Sequence, residues 1–256
     1  IQHRGPDGTG TYFGSNFAFG HQRLSILDLS EDGKQPLIYN SNLVITYNGE
    51  IYNYIELREE LMTFGYVFHS KTDTEVILAA YSQWGEGCVS RFNGMWSFAI
   101  YDQSKNQLFC SRDRFGIKPF YYTLENGVFA FGSEIKQLLP FLTSINCNKH
   151  ILTEYLITGI EEHTNFTFFD KIQKLEQGAN LIYDLATHKF EVSRYYELKE
   201  NNALNKLDEI SAIEKYKGQL YEAVKLRMRS DVEVGTCLSG GLDSSSVTAF
   251  SSEILR

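Results

Sequence analysis

The sequence predicts an α+β fold in which layered antiparallel β-sheets carry helices, followed by the first part of a parallel α/β domain. Short apolar segments alternate with turn residues between Met95 and Glu134, a spacing that indicates antiparallel strands. Two segments with helical periodicity lie within this series, between residues 53 and 85. Near the carboxyl end, a β-branched segment leads into a glycine-rich turn and a helix, which is how a parallel α/β unit begins.

The predicted strands are marked by alternating apolar residues and by the turns between them. Alternation between Tyr12 and Asp28 predicts short strands, and the run LVITYN predicts a strand that ends at Asn48. Short helices are expected at residues 135–142 and 151–155. Six further strands, of which the last two form a hairpin, are expected in the runs MWSFAIYD, QLFCSRD, KPFYYT, VFAFGSE, ANLIYD and FEVSRYY.

The two helices between residues 53 and 85 have recognisable starts. Asn53 and Glu56 have the three-residue spacing of a capping box, and Gly65 is a favourable stop for the helix that follows. Thr72 and Glu75 have the same spacing and begin the second helix, which is expected to end near residue 85. Both segments carry a set of apolar residues, as the helices of a layered α+β domain do.

A polar, charged stretch without clear periodicity separates two predicted domains. We place this linker at residues 199–210, between a first domain at residues 1–198 and the beginning of a second at residues 211–256. Ser211 and Glu214 are predicted to begin the next helix, and the run VEVGTCL is predicted as the strand that precedes the glycine-rich turn. The sequence starts at Ile1 and stops within a predicted helix, so we expect it to be cut at both ends.

The composition argues against nucleic-acid and membrane partners. The 256 residues carry a net charge of −8 and a pI of about 5.3, so no general positive field attracts phosphate backbones or anionic lipids. No apolar run reaches the ~20 residues of a membrane span, and the first residues lack the pattern of a signal peptide. The four cysteines show no CxxC pair and are expected to be reduced thiols, which suits a cytoplasmic protein.

The glycine-rich turn at residues 239–245, Ser-Gly-Gly-Leu-Asp-Ser-Ser, is the most specific motif. Two adjacent glycines after a strand let backbone N–H groups converge on an anion, and a helix start adds partial positive charge. Serine hydroxyls can donate to phosphate oxygens, and Asp243 can hold the Mg²⁺ that accompanies a nucleotide. A plain tight turn is the alternative, and the Gly-Lys-Ser/Thr ending of a Walker A loop is absent.

This turn resembles the pyrophosphate-binding loop of the N-type ATP pyrophosphatases. The resemblance implies that ATP and Mg²⁺ are the cofactors. It assigns nucleotide binding to seven positions: Leu238, Ser239, Gly240, Gly241, Asp243, Ser244 and Ser245.

Four separate segments in the first domain resemble a second family, the N-terminal-nucleophile (class II) glutamine amidotransferases. These segments are His-Arg-Gly-Pro-Asp at 3–7, Arg-Leu-Ser-Ile-Leu-Asp at 23–28, Asn-Gly-Glu-Ile-Tyr-Asn at 48–53 and Thr-Asp at 72–73. Two more, Arg-Asp-Arg-Phe-Gly-Ile-Lys-Pro at 112–119 and Gly-Ser-Glu at 132–134, resemble the asparagine-synthetase branch of that family. The resemblance covers residues 1–198 and implies the layered fold predicted above.

The resemblance implies a glutamine site whose residue types suit the substrate. Arg23 would grip the α-carboxylate, and Asp73, helped by Glu50, would face the α-ammonium group. The Asn48 side chain and the Gly49 N–H would donate to the oxyanion that forms on the amide. Arg4 would lie near the nucleophile. The remaining glutamine-binding positions form one segment, with backbone carbonyls near the last two as acceptors: Leu24, Ser25, Ile26 and Leu27.

Each residue also has an ordinary structural explanation. An acid such as Asp73 is favourable in the first turn of any helix, Asn48-Gly49 is a common turn dipeptide, and Arg23 alone would be a surface charge. The four segments in one order favour the functional interpretation over these alternatives.

The family's nucleophile is a cysteine at the mature amino terminus, whose own α-amine acts as the base. That residue is absent from these 256 residues, and none of the four internal cysteines has a free amine. We therefore expect this piece to be inactive and assign the function to the intact protein.

The order of the motifs implies a glutamine-hydrolysing asparagine synthetase, an ATP-dependent ligase. Its substrates would be glutamine, aspartate and ATP, and its intermediate β-aspartyl-AMP. Neither nucleic acid nor membrane is expected as a partner, and a homodimer is one open option for its assembly. The aspartate site would lie beyond Arg256, so the sequence leaves the acceptor open.

Three alternatives remain. The first is a related amidotransferase that acts on another carboxylate, such as a sugar acid or a peptide. The second is a β-lactam-synthetase-like ligase, although the intact Arg23, Asn48-Gly49-Glu50 and Asp73 argue against a lost glutamine site. The third is a non-catalytic glutamine-binding module. Phosphoribosyl-pyrophosphate and fructose-6-phosphate amidotransferases share the first domain, but the loop at Ser239 argues against both.

Overall fold

The computed structural model describes residues 1–255, which form two compact units. The first unit comprises residues 1–25 and 30–197, and the second comprises residues 26–29 with the chain from Leu198 onward. The helices are α1 (Tyr54–Thr63), α2 (Asp73–Trp84), α3 (Lys149–Thr158), α4 (Glu209–Arg227) and α5 (Leu242–Ile254). The strands are β1 (Gly8–Phe13), β2 (Ala18–Arg23), β3 (Leu37–Tyr39), β4 (Leu43–Ile51), β5 (Gly94–Asp102), β6 (Gln107–Arg112), β7 (Tyr121–Glu125), β8 (Val128–Gly132), β9 (Gln173–Lys174), β10 (Ala179–Asp184) and β11 (Lys189–Arg194).

A six-stranded antiparallel sheet lies at the centre of the first unit, with the strand order β11-β10-β6-β5-β4-β3. Strands β4 and β5 pair from Leu43 opposite Asp102 to Ile51 opposite Gly94. Successive side chains point to opposite faces of a strand, so each central strand contributes to two cores. On one face, Ile45 packs with the helical layer, where residues 76–80 of α2 are fully buried.

The opposite face of the central sheet packs on a second layer of strands. As the alternation requires, one buried cluster joins this face to the second layer: Val44, Ala99, Cys110 and Leu181 of the central sheet pack with Phe19, Phe120 and Tyr122. This layer consists of the pair β1-β2 and the three-stranded sheet β8-β7-β9. Helices, central sheet and second strand layer together confirm the predicted layered α+β fold.

Some strand predictions differ from the structure, either in extent or because no strand forms. Strand β4 continues through Asn48 to Ile51, and β7 begins at Tyr121 because the preceding loop is held by its own hydrogen bonds. Residues 24–28 form no strand, and Asp28 has a left-handed backbone with φ +52°. The run VEVGTCL forms no strand either, since no other strand of the second unit, as far as it is described, can pair with it.

The helix starts also differ in part from the prediction. Asn53 makes no capping bond to α1. Instead its side chain donates to the Arg91 carbonyl (3.0 Å) and accepts from the Asn93 N–H (2.8 Å). The Thr72 hydroxyl does cap α2, because it accepts the Glu75 N–H at 3.2 Å.

Later helices begin and end differently from the sequence pattern. Helix α4 begins at Glu209, two residues before the predicted start, because the Asp208 carboxylate caps it by accepting the Ser211 N–H at 3.0 Å. Residues 135–142 form two short 3₁₀ turns rather than one helix, and α3 extends beyond the predicted 151–155 at both ends.

The loop after β6 is held by two buried charged residues, Arg112 and Asp113. Arg112 donates to the carbonyls of Lys118, Leu175 and Gly116 at 2.7–2.8 Å. The fully buried Asp113 carboxylate accepts backbone N–H groups, including that of Lys118 at 2.9 Å. These bonds satisfy both charged groups and hold the loop that carries Lys118.

The second unit contains α4 and α5, which contact through the edge of Tyr221 against Phe250 with ring centroids 5.7 Å apart. Within this unit Asp231 makes a reciprocal pair with residues 26–29: its carboxylate accepts the Asp28 N–H at 2.7 Å and its N–H donates to the Ile26 carbonyl at 3.0 Å. Among residues 1–255, no helix is both long and apolar enough to cross a membrane.

Candidate functional site

The segment Asn48-Gly49-Glu50 lies inside strand β4 and is not a turn. Gly49 pairs with Trp96 of β5, and a Cβ at Gly49 would lie 2.2 Å from the Met95 carbonyl oxygen. Only glycine therefore allows the two strands to approach this closely. Asn48 is half-buried and Glu50 is buried, so the strand carries polar side chains at the end of a well-packed sheet.

Asp73 lies beside this strand. It is the first residue of α2, and its Oδ2 accepts both the Ile51 N–H and the Tyr47 hydroxyl at 2.8 Å. Its side chain is buried, and burial raises the pKa of Asp73 to about 6, although these two hydrogen bonds oppose the rise. A first-turn acid that only complements the helix dipole needs no such burial, so the structure gives Asp73 more than an ordinary capping position.

Arg4 and Asn48 are connected through two consecutive residues that follow β8. The Asn48 Nδ2 donates to Ser133 Oγ at 3.2 Å, and Arg4 NH1 donates to Glu134 Oε1 at 3.4 Å. The sequence assigned no role to Ser133 or Glu134, although both belong to the Gly-Ser-Glu segment quoted for its family resemblance. That resemblance was the available signal.

Lys118 is a further cation at this place that the sequence did not single out. Burial and the charge of Arg4 lower the pKa of Lys118, while the carboxylates of Glu50 and Asp113 raise it. Lys118 is therefore electrostatically coupled to Arg4 and to Glu50. Lys118 belongs to the segment at 112–119 quoted for its family resemblance, and that resemblance was again the available signal.

Arg23 is the last residue of β2, on the same face as His21. The His21 Nδ1 lies 3.5 Å from Thr46 Oγ1 of β4, so this face of β2 packs toward β4. Burial and the charge of Arg23 lower the pKa of His21 to about 4, which keeps the imidazole neutral. The Arg23 guanidinium donates to the Ser30 carbonyl at 2.8 Å.

Asp7 joins the first two motif segments. Its carboxylate accepts the Ser25 N–H at 2.8 Å, and its own N–H donates to the Arg23 carbonyl at 3.0 Å. Gly5 is required beside it, since a Cβ there would lie 2.3 Å from the Gln22 carbonyl oxygen. The segment that precedes β1 is thus held along β2, which explains why the two motifs occur together.

The remaining residues of the predicted glutamine-binding segment lie in different surroundings. Leu24 is exposed. Ile26 and Leu27 belong to the second unit, where the Ile26 carbonyl accepts the Asp231 N–H at 3.0 Å and Leu27 is buried. Their predicted part in binding glutamine stays a prediction.

The predicted phosphate loop is an exposed turn at the start of α5. Gly240 has φ +84°, with no atom within 4 Å of the place a Cβ would take, so the backbone here is open to a ligand. The hydroxyls of Ser239 and Ser244 lie 2.9 Å apart, and Asp243 is exposed in the first helical turn. Hydroxyl donors, an open glycine backbone and a helix start are groups that fit phosphate oxygens.

Residues 1–255 contain neither a cluster of metal ligands nor a reactive buried thiol. No group of three or more histidine, cysteine, aspartate or glutamate side chains in this range could hold a metal ion. A magnesium ion at Asp243 would therefore depend on the phosphates of a nucleotide for its other ligands. Burial raises the pKa of the Cys88 and Cys110 thiols, which makes both unreactive.

Two family models match the sequence in this order. A model described as glutamine amidotransferase domain matches residues 1–196, and a model described as asparagine synthase matches residues 215–256.

Curated relatives match along nearly the whole chain. A putative glutamine-hydrolysing asparagine synthetase 2 of Methanocaldococcus jannaschii is 43% identical over 96% of this chain and 51% of its own length. Glutamine-hydrolysing asparagine synthetase 1 of Bacillus subtilis is 38% identical over 99% of this chain and 39% of its own length. Amidase chry2 of Gibberella zeae is 33% identical over the full chain and 38% of its own length. The chain therefore spans about half or less of these relatives.

Among solved structures, the glutamine phosphoribosylpyrophosphate amidotransferase from B. subtilis, complexed with ADP and GMP, is similar with a TM-score of 0.50. The alignment covers 93% of this chain and 50% of that one, at 18% identity. At this identity the similarity supports the fold and carries no information on substrate.

Proposed function

The chain belongs to the glutamine amidotransferase domain family, and on that premise we propose that the intact protein is a glutamine-hydrolysing asparagine synthetase. The observation that carries this proposal is the polar group around β4, where Asn48-Gly49-Glu50 lies beside the buried Asp73. The asparagine synthase match over residues 215–256, which includes the phosphate loop, supports the second half of the reaction. The same proposal places the intact protein in the cytoplasm.

In the first half-reaction, this chain would bind glutamine by its charged ends. Arg23 would engage the α-carboxylate, and Asp73 with Glu50 would face the α-ammonium group, since a carboxylate with a pKa of about 6 is ionised at neutral pH. The Asn48 amide and the Gly49 N–H would donate to the oxyanion that forms when the side-chain amide is attacked. One such donor contributes about 3–4 kcal/mol in comparable sites.

The nucleophile would come from a strand that precedes this chain in the intact protein. Within the described residues, β2 pairs only with β1 and β8 pairs only with β7, so each has one unpaired edge. Residues of both strands line a groove of about 750 Å³. Phe19 of β2 and Phe131 of β8 close its floor with ring centroids 5.8 Å apart. A strand in this groove would pair with both free edges and join the two pieces into one sheet.

The second half-reaction would consume ATP at residues 238–245. The β-carboxylate of aspartate attacks the α-phosphorus of ATP and releases pyrophosphate, which gives β-aspartyl-AMP. Ammonia from glutamine then displaces AMP and forms asparagine. Leu238 would contact the adenine, while Ser239, Ser244 and Ser245 with the N–H groups of Gly240 and Gly241 would bind the phosphates, and Asp243 would bind Mg²⁺.

A second candidate is an amidotransferase of the same type with another acceptor carboxylate. The similarity to a protein named as an amidase, at 33% identity over the full chain, favours keeping this candidate.

The deciding experiment is an acceptor screen with the intact protein. Aspartate, other amino acids, sugar acids and peptides are each supplied with MgATP and ammonium, and pyrophosphate release is measured. Aspartate-dependent pyrophosphate release with matching asparagine supports the proposal. Release that depends on a different carboxylate, with none for aspartate, supports the second candidate instead. Because ammonium replaces glutamine, this assay does not depend on the first half-reaction.

A further inference from the structure

Ser133 and Glu134 have no role in the mechanism above, yet they contact two of its groups. Ser133 Oγ accepts a hydrogen bond from Asn48 Nδ2 at 3.2 Å. Glu134 Oε1 accepts from Arg4 NH1 at 3.4 Å and is 2.8 Å from His3 Nε2. Two neighbouring residues therefore reach the proposed oxyanion donor and the cation proposed to lie near the nucleophile.

The backbone of this dipeptide is held in place by Gln137. The Glu134 N–H donates to Gln137 Oε1 and the Gln137 N–H donates to the Glu134 carbonyl, both at 3.0 Å. A Cβ at Gly132 would lie 2.8 Å from the same Gln137 oxygen, so glycine lets the glutamine side chain close over the turn. These backbone bonds hold the turn, from which the Ser133 and Glu134 side chains contact other segments.

The Ser133 contact sets the orientation of the Asn48 amide. A side-chain NH₂ group has two hydrogens, and the bond to Ser133 uses one of them. The second hydrogen then has a fixed direction and remains for the oxyanion. Without the Ser133 hydroxyl, the half-buried amide could rotate and present its oxygen, which repels an oxyanion.

The Glu134 carboxylate contacts several side chains at once through its two oxygens. Oε1 faces Arg4 and His3, whereas Oε2 accepts from Lys136 Nζ at 2.8 Å. Hydrogen bonds from Lys136 and His3 lower the pKa of Glu134 to about 2, so the carboxylate stays charged over the working pH range. Lys136 and Arg4 contact different oxygens, so one contact can be removed without the other.

We propose that Ser133 and Glu134 are positioning residues of the glutamine site: Ser133 orients the Asn48 amide toward the oxyanion, and Glu134 holds Arg4. This inference rests on the proposed function, because it assumes that Asn48 and Arg4 act on glutamine.

The test uses the intact protein and measures glutamate release from glutamine alongside ammonia-dependent pyrophosphate release. Ser133→Ala should lower kcat about tenfold at nearly constant KM, because the oxyanion exists only in the transition state; this is less than the 10²–10³-fold loss for removing a donor outright. Glu134→Gln should lower kcat/KM for glutamine about tenfold, since the neutral amide retains a weaker bond to Arg4. Ammonia-dependent release should be unchanged in both.

Lys136→Gln is the matched control, since Lys136 binds the same carboxylate through its other oxygen. It should leave kcat/KM within about twofold of wild type, as expected for an exposed ion pair. In the background of Arg4→Ala, Glu134→Gln should cause no further loss, because a residue that acts through Arg4 has no effect once Arg4 is gone. Thermal midpoints of all variants distinguish positioning from a general loss of stability.

Glutamate release at wild-type rates in both Ser133→Ala and Glu134→Gln would overturn the inference while leaving the proposed function intact. Losses that occur only in proportion to a lowered thermal midpoint would also overturn it. Full additivity of Glu134→Gln and Arg4→Ala would remove the Glu134 part. A wild-type intact protein that releases no glutamate contradicts the proposed function itself, and this inference with it.

Discussion

Replacing Tyr47 with phenylalanine should move the acid limb of the glutamine reaction to higher pH. The Tyr47 hydroxyl and the Ile51 N–H both donate to Asp73 Oδ2 at 2.8 Å and favour the ionised carboxylate. Burial acts in the opposite direction and is the larger effect, so the pKa of Asp73 is raised to about 6. Without the Tyr47 hydroxyl, one of the hydrogen bonds that lower the pKa of Asp73 is lost, so this pKa should rise further.

The expected size follows from the strength of the lost bond. A hydrogen bond to a charged group contributes about 1.5–3 kcal/mol, which moves the limb by roughly one to two pH units. Asp73 is only 5% exposed, so water cannot easily replace the hydroxyl. In the wild type, about a tenth of Asp73 is ionised one pH unit below its pKa, and kcat/KM for glutamine should fall about tenfold there.

The direction of the change has one physical cause. In the proposed site, Asp73 below its pKa would be neutral and would no longer attract the α-ammonium group of glutamine, so kcat/KM should decrease as the pH falls. The assay is the pH profile of glutamate release by the intact protein, measured for wild type and for Tyr47→Phe. Asp73→Asn is the control and should give a low rate without this limb.

A Tyr47→Phe profile that coincides with the wild-type profile would refute the assignment of the limb to Asp73. So would an Asp73→Asn variant that retains the limb. In the intact protein the α-amine of the proposed nucleophile would also titrate, with a pKa of about 7.7–8.0. Tyr47→Phe separates the two groups because the Tyr47 hydroxyl donates to the Asp73 carboxylate.

Four further predictions concern single residues. Arg23→Ala should abolish glutamine-dependent turnover and leave ammonia-dependent synthesis, measured as product formed with each nitrogen donor; loss of both would contradict separate sites. Asp243→Ala should stop pyrophosphate release with either donor, and normal release would argue against a metal-binding role. Gly49→Ala should lower the free energy of unfolding in urea by about 3 kcal/mol or more, because its Cβ would lie 2.2 Å from the Met95 oxygen; an unchanged midpoint would contradict the close pairing. Asp73→Asn should raise the free energy of unfolding at pH 8 by about 1–3 kcal/mol, because the folded-state pKa of Asp73, about 6, lies above its unfolded value. Ionisation of Asp73 therefore destabilises the fold increasingly between about pH 4 and 6, and fully above that range. An Asp73→Asn variant with no gain in unfolding free energy at pH 8 would contradict this sign.

The layers of the fold could be predicted because local patterns determine them. The alternation in MWSFAIYD places Phe98 and Ala99 on opposite faces of β5, and these residues do belong to the two separate cores. The Thr72 cap and the hairpin of β10 and β11 depend on residues only a few positions apart, and the structure confirms both. The family comparisons confirm the amidotransferase resemblance that the four motif segments carried.

The predictions that were wrong involve partners far away in sequence. Asn53 fits a capping box locally, but its side chain bonds to residues 91 and 93, which no local pattern indicates. The strand LVITYN was predicted to end at Asn48, but β4 continues to Ile51 because β5 pairs along it, and the close approach requires a glycine at position 49 for reasons of space. The run VEVGTCL has strand propensity, but a strand forms only with a neighbour to pair with.

In the candidate site, too, the sequence predicted the motif residues but not the contacts between distant segments. Residue types and motif order predicted Asn48, Gly49, Glu50 and Asp73, and the structure brings these residues together around the end of β4. The contacts of Ser133, Glu134 and Lys118 depend on how β8 and the loop after β6 meet that strand. Such tertiary contacts leave no periodic signal in the sequence.

The central claim is that one intact polypeptide transfers the amide nitrogen of glutamine to aspartate at the cost of ATP. The most direct measurement supplies glutamine labelled with ¹⁵N in the side-chain amide, together with aspartate and MgATP, and follows the label and the nucleotide products. We predict asparagine labelled in its side-chain amide, with one AMP and one pyrophosphate formed per asparagine. Labelled ammonia that never enters asparagine, or ADP and phosphate as the nucleotide products, would contradict the account.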